Sequence, residues 1–446
     1  MTGTDNQVGM SLGDSQLKPL YRRLPHGPNG MGRDEVARNQ RTRLYGGMIE
    51  AVSRRGYKRT TVAHVIALAG VSRRAFYELF ANKEECFLAT YDIVVMRARK
   101  RMLDAWTAER GWANRVHAAC RTLLDDIAEE PKGPHLVLVD ALGVGPKARE
   151  RLLLSGFTFE RLVSSAFSQP PDGIGFPRLT SRGIVGGVRN VIFTRMLEQR
   201  QHELKLLSDE VLDWVEAYRT PAVARLGVAA GNLPRRQPPE PAAFLTREDK
   251  RARVLGSVVH LTLDEGYAGL TDPQIAQFAG VSTEAFHKQF ANKEECFLTV
   301  IDEFVREALE QVRPSFEQAV AWPEAVCRAM GAFVEYLVAH EALLRIAFID
   351  LFEVGPAVVG RLTRSVEEFT RMLTEDGPTP RRGPELALEA VTGAVWSIIS
   401  GYVANGRLVR LPCLVDYLAF TVLAPYIGAK EAVESIQAAR KPLRAV

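Results

Sequence analysis

Cysteine is scarce in this sequence. Its five cysteines, Cys86, Cys120, Cys296, Cys327 and Cys413, are odd in number and form no close pair. That argues against a disulfide framework and against a zinc site, and the expected setting is a reducing cytoplasm. Charge of one sign is also lacking: 57 Lys/Arg stand against 53 Asp/Glu, a net +4, so any nucleic-acid surface must be local. No uninterrupted apolar stretch reads as long enough to span a bilayer. The opening MTGTDNQVGMSLGDSQ lacks the basic and apolar regions of a signal peptide. Catalytic signatures are missing too: no nucleophile elbow, phosphate loop, metal-spaced histidines or dinucleotide fingerprint. The Gly-rich GIVGG at 183–187 lacks the phosphate-loop lysine and follows no strand. An enzyme is therefore not expected, nor is a cofactor or a metal.

What the sequence has is a duplication. TTVAHVIALAGVSRRAFYELFANKEECFL (60–88) returns 210 residues later as LTDPQIAQFAGVSTEAFHKQFANKEECFL (270–298), with FANKEECFL and AGVS unchanged. An echo of this length at a fixed offset marks an internal repeat. VDALGVGPKARERL (139–152) echoes IDLFEVGPAVVGRL (349–362) at the same offset, so the repeat extends beyond the first motif. A last echo pairs GIVGGVRNVIFTRMLEQR (183–200) with AVTGAVWSIISGYVANGR (390–407). Small residues there suit close helix–helix contact, and ordinary core helices are the plainer alternative.

The repeated motif reads as two short helices and the start of a third. Thr61 is a good N-cap, and Val62, Val65, Ile66 and Ala69 form a helical stripe. Gly70 suits a left-handed C-cap. Ser72 caps the next helix, where Phe76, Leu79 and Phe80 share one face and Arg73 and Tyr77 share another. Asn82 caps the third, with Lys83 in its first turn. A lysine there opposes the helix dipole, but an ammonium beside free N–H groups suits a phosphate. Upstream, Arg41–Arg55 reads as a supporting helix with Leu44, Met48, Ala51 and Val52 inward, closed by Gly56-Tyr57. Two short helices about a Gly turn, the second with a basic and aromatic outer face, describe a helix-turn-helix that enters a major groove.

With Ala-Gly-Val-Ser at the turn, Phe-Tyr and then Phe in the reading helix, and Asn-Lys-Glu-Glu opening the next, the pattern resembles the TetR-like transcriptional regulators. The resemblance is strong across Arg41–Leu88 and weaker across Arg251–Leu298, and it does not reach the effector halves. It implies an all-α fold of two tandem units, each an N-terminal helix-turn-helix bundle plus a helical effector and dimerisation domain. It also implies a repressor acting in pairs on double-stranded DNA, with an affinity that a small effector changes. By position, Thr61, Arg73, Arg74, Tyr77 and Lys83 fall where the family contacts DNA. In the second copy the candidates are Thr271, Thr283, His287, Lys288 and Lys293, the place of Arg74 being taken by Glu284. The C-terminal helices of the family pair between subunits, so the two copies are expected to pair inside one chain as a covalent pseudo-dimer, with homodimerisation a further option.

The expected organisation is an unstructured arm (1–32), a first helix-turn-helix domain (33–88), a first effector domain (89–227) and a Pro-rich linker (228–244). A second helix-turn-helix domain (245–298), a second effector domain (299–430) and a tail (431–446) follow. The arm carries Lys18, Arg22, Arg23 and Arg33, which could reach DNA. Leu88 to about Glu109 extends the third helix into a long connector. Pro131–Pro134 and Pro170–Gly173 interrupt helices. Trp106, Trp112 and His117, and Trp322, Phe333 and Tyr336, are candidates to line an apolar ligand pocket, with core packing an equal explanation.

The copies differ in charge. Residues 41–83 hold nine Lys/Arg and two acids; residues 251–293 hold four of each. Arg73-Arg74 becomes Thr283-Glu284, and Tyr77 becomes His287. Losing phosphate contacts removes salt-dependent affinity. The first copy is therefore the expected DNA reader, and the second a weak reader or a remnant. The competing reading is a ligand-binding or protein-interaction module that no longer reads DNA.

Overall fold

The computed structural model describes residues 33–167, 178–219, 226, 241–380 and 383–440. The N-terminal arm, the Pro170–Gly173 break and most of the linker lie outside these. Among the described residues the fold is all helix, with no strand. The first copy contains α1 (Arg33–Arg59), α2 (Val62–Ala69), α3 (Arg73–Leu79), α4 (Lys83–Ala108), α5 (Trp112–Glu129), α6 (Lys132–His135), α7 (Pro146–Phe167), α8 (Arg178–Leu197) and α9 (Ser208–Glu216). The second begins with α10 (Lys250–Glu265), α11 (Asp272–Phe278), α12 (Thr283–His287), α13 (Lys293–Glu317) and α14 (Trp322–Ala339). It continues with α15 (Glu341–Arg345), α16 (Leu351–Val354), α17 (Pro356–Thr374), α18 (Pro384–Ala404), α19 (Val415–Ile427) and α20 (Ala429–Ala439). The repeat is visible in unusual detail. Each copy holds a five-residue π-helix at matching places, Leu136–Asp140 and Ile346–Asp350.

The chain divides into two compact units, Met1–Val94 and Val95–Val446. In the first, α1 supplies Leu44, Met48, Ala51 and Val52, all essentially without exposure, as their 3.6-residue spacing requires. Gly47 lets α1 and α2 touch, since a Cβ there would lie 2.7 Å from the Val65 carbonyl oxygen. α1 begins eight residues before the expected Arg41, with Asp34 and Glu35 favourably placed in its first turn. Gly56 breaks its last turns at φ 72°.

The second unit has one continuous apolar core running through both effector halves and the second helix-turn-helix. At its centre α8 crosses α18. A Cβ on Gly186 would lie 2.7 Å from the Gly393 oxygen, and one on Gly393 would lie 2.6 Å from the Gly186 oxygen. The two backbones therefore touch through their glycines. Around the crossing, the Asn190 side-chain amide donates to the Glu389 carbonyl at 2.9 Å and the Tyr218 hydroxyl to the Thr421 carbonyl at 3.0 Å.

Two segments read only as tail and linker take on structure, and one expectation needs correction. The C-terminal tail is a helix: α20 buries Ala432, Val433 and Ile436, an apolar stripe that packs on α19 and α14. The end of the linker is anchored, with Phe244 buried and the Glu307 carboxylate accepting from the Ala243 and Phe244 N–H groups. And α18 and the stretch Leu408–Ile427 are, by length and composition, apolar enough to cross a membrane. Here 67% and 50% of their apolar windows are buried inside the protein, as befits helices packed on several sides.

Candidate nucleic-acid interface

The first helix-turn-helix is set by four local caps. The Thr61 hydroxyl accepts from the His64 N–H at 3.3 Å, and His64 Nδ1 accepts in return from the Thr61 N–H, a reciprocal capping box. Gly70 closes α2 in the left-handed region at φ 59°. The Ser72 hydroxyl accepts from the Ala75 N–H, and the Asn82 side chain from the Glu85 N–H. Arg43 ties the turn to α1 by donating to the Ala69 and Gly70 carbonyls at 2.8 and 2.6 Å.

These caps present one face of α3. Phe76 and Phe80 point into the core, while Arg73, Arg74 and Tyr77 are exposed. Arg73 stacks over the Tyr77 ring at 5.8 Å. Arg74 pairs with Glu78 at 2.9 Å, with 90% of the arginine side chain accessible. An exposed i,i+4 pair is worth at most ~1 kcal/mol, whereas a bidentate arginine–guanine contact is worth about 1–3 kcal/mol. Arg74 can therefore leave Glu78 for a base. Thr61 stands exposed at the start of α2.

Lys83, expected to face a phosphate, faces protein. Its ammonium donates to the Tyr57 and Thr60 carbonyls at 3.0 and 2.9 Å and lies 4.0 Å from the centre of the Tyr57 ring. That explains a cation in the first turn of α4: it neutralises the carbonyl end of α1 rather than its own helix. Burial lowers its pKa and pushes the Tyr57 hydroxyl up to about 12. The sequence motif had instead passed over Arg55, Lys58 and Arg59, exposed on the last turns of α1 just before Thr61. The charge count of this window was the available signal.

The second copy reproduces the interior. Lys293 donates to the Tyr267 and Leu270 carbonyls at 3.1 and 2.7 Å, over the Tyr267 ring. The Thr271 hydroxyl accepts from the Gln274 N–H in a capping box, and Gly280 is left-handed at φ 67°. Cys86 and Cys296 are fully buried, and burial pushes both thiols up to about 12, as expected of small core hydrophobes. The surface is another matter. α12 has five residues against seven in α3. Thr283, His287 and Lys288 are exposed, but Lys288 is paired with Glu284 at 2.9 Å, and His287 Nε2 lies 3.7 Å from an Asp272 carboxylate oxygen. The duplicated unit keeps its braces and exchanges its outer face.

The family model for bacterial regulatory proteins of the tetR family matches residues 49–90 and again 259–300. The chain carries two TetR-like units in tandem. It is similar to YhgD of Bacillus subtilis, an uncharacterised HTH-type transcriptional regulator, with 25% identity over 133 residues, 29% of this chain and 69% of that protein. FasR of Mycolicibacterium smegmatis, an HTH-type transcriptional activator, is 24% identical over 126 residues, 28% of this chain and 58% of its own length. Among solved structures, the fatty acid degradation regulator FadR of Bacillus halodurans aligns at a TM-score of 0.36 and 17% identity, over 40% of this chain and 96% of that one.

Within this tandem TetR-like chain, the aromatic pocket candidates separate. Trp112 and Trp322, at equivalent places, donate their indole N–H groups to the Ala166 and Leu373 carbonyls and act as core anchors. The Tyr336 hydroxyl donates to the Phe304 carbonyl, and His117 Nε2 lies 2.8 Å from an Asp209 carboxylate oxygen. Trp106 packs against the core. Phe333 lines an apolar cavity in the second effector half, with Phe304, Met330, Phe348, Phe369 and Trp396.

Proposed function

We propose that this tandem TetR-family chain is a cytoplasmic, sequence-specific repressor in which only the first helix-turn-helix reads duplex DNA. In this reading Arg73, Arg74 and Tyr77 meet base edges and the backbone next to them. Thr61, Arg55, Lys58 and Arg59 hold phosphates, and Lys83 keeps the unit in shape. The second helix-turn-helix, with Thr271, Thr283, His287, Lys288 and Lys293, contributes architecture, and the two halves pair as a covalent pseudo-dimer. The observation that carries the reading is the contrast between the copies: the same internal lysine brace, but an arginine-rich exposed face only on the first. The α8–α18 crossing supports the pairing. The cavity around Phe333 and Phe369 suits a small apolar effector that relieves repression.

The test is a gel-shift titration on the DNA upstream of the chain's own coding region. Changing Arg73, Arg74 and Tyr77 together to Ala removes two arginine contacts of about 1–3 kcal/mol each. Specific binding should therefore fall by about thirtyfold or more, and changing Thr283, His287 and Lys288 of the second copy to Ala should leave it intact. Binding of the wild-type chain should weaken steeply with salt. Survival of specific binding in the first variant ends the assignment of α3 as reading helix.

A further inference from the structure

The α8–α18 crossing has an internal two-fold relation, with position i of α8 matching i+207 of α18. Gly186 packs on Ser397, and its mate Gly393 packs on Asn190; Gly187 meets the Ala390 carbonyl, and its mate Ala394 meets Gly183. Gln199 and Gly406, also 207 apart, share left-handed backbone at φ 60° and 65°. Contacts at such a crossing should come in equivalent pairs.

The charges break the pattern. Arg195 is ion-paired with Glu389, both nearly without exposure. The mates of these residues are Tyr402 and Arg182, and Arg182 is held by both carboxylate oxygens of Glu160 in its own half, at 3.1 and 3.3 Å. Arg149 pairs with Glu353 at 3.4 Å, where the mates, at the 210-residue offset of that segment, are Val359 and Gly143. Arg200, held in its own half by Glu203 and Glu198, also pairs with Glu385 at 3.1 Å, where the mates are Arg407 and Arg178. In all three pairs the cation comes from the first half and the anion from the second.

We propose that this polarity makes the crossing a heterotypic lock: the α8 face of the first half accepts the α18 face of the second half and rejects another copy of itself. This rests on the pseudo-dimer reading and adds partner choice to it. Pairing α8 with α8 of another chain would set the buried Arg195 against the part-buried Arg182, with Glu160 already engaged by Arg182 and only Glu203, 3.8 Å away and shared with Arg200, beside Arg195. Pairing α18 with α18 would leave Glu389 facing Tyr402 with no cation. Partner choice by such repulsive or unpaired buried charges is stronger than choice by attraction alone. The more exposed Arg200–Glu385 pair reinforces the direction rather than the affinity.

The experiment uses the full chain with a protease site inserted between residues 230 and 236, cleaved after folding. The two halves are tagged differently and their association is read by size exclusion and pull-down. Wild-type halves should stay together one to one, and first halves should not capture first halves. Glu389→Arg should weaken the association by roughly a hundredfold or more, and the double change Arg195→Glu/Glu389→Arg should restore most of it. If Glu389→Arg does not fold, Glu385→Lys acts at a half-exposed pair and should still weaken association several-fold, with rescue by Arg200→Glu. Equal association of the single reversals and the wild type, or ready pairing of first halves with one another, overturns the lock while leaving the pseudo-dimer. Separation of the wild-type halves overturns the pseudo-dimer itself.

Discussion

Changing Gly186 or Gly393 to Ala has an expected sign opposite to the usual one. Both glycines lie inside long helices, where replacing Gly by Ala ordinarily gains about 1 kcal/mol. Gly256 in α10 and Gly331 in α14 should show that gain, because a Cβ at either meets nothing within 4 Å. At Gly186 the new methyl would lie 2.7 Å from the Gly393 carbonyl oxygen and overlap Ser397. At Gly393 it would lie 2.6 Å from the Gly186 oxygen and overlap Asn190. The obstacles are a neighbouring Cβ and a backbone oxygen, neither of which a rotamer change can move, so relief requires the two helices to move apart. Overpacking of this kind costs about 1–3 kcal/mol; forcing backbones apart belongs at the upper end, which leaves each variant about 1–2 kcal/mol less stable after the propensity gain. The double variant should lose less than the sum of the two, because the first opens the crossing for the second. Hydrogen exchange of the α18 amides, with urea unfolding beside it, reads the effect locally. If either substitution stabilises the protein as Gly256→Ala does, the close crossing is wrong.

Two further outcomes follow from the geometry. Lys83→Met should lower the stability of the first unit by roughly 1–3 kcal/mol, since the Tyr57 and Thr60 carbonyls lose their donor. The salt slope of DNA binding should stay unchanged; a slope reduced by about one would mean that this ammonium meets a phosphate after all. Asp350 is buried, with one carboxylate oxygen unbonded and Arg345 no nearer than 3.9 Å, and burial raises its pKa from 3.8 to about 6. The folded state thus binds this proton more tightly than the unfolded chain. The stability it contributes is complete below pH ~4 and is lost as pH rises through about 6, a change on the order of 3 kcal/mol. Asp350→Asn should flatten that slope in thermal melts from pH 4 to 7; an unchanged slope would show that the group titrates normally.

Much of the helix-turn-helix was legible because its determinants are local. Thr61, Gly70, Ser72 and Asn82 act within a few residues of themselves, and the stripe Leu44, Met48, Ala51, Val52 needs only the helical period. The bonds of Lys83 within the unit were invisible because its partners are 23 and 26 residues away. In sequence a cation at a helix start looks like a phosphate ligand, and nothing nearby reveals the carbonyls it serves. α18 offers no uninterrupted apolar run of spanning length, because scattered polar residues break the run although most of the helix is buried. α20 was read only as a charged tail with helical potential; that Ala432, Val433 and Ile436 share one buried face depends on the helices they pack against. The direction of the three ion pairs across the crossing is invisible until the halves are placed together.

The Arg195–Glu389 pair has an evolutionary corollary. In a homodimer with one gene and two identical subunits, every substitution is made twice, and a solitary arginine facing a solitary glutamate across the axis cannot exist. Once both halves lie in one polypeptide, each position mutates alone. One half can then specialise in recognising an operator while the other drifts, at the level of a single codon and without a second gene to keep in step.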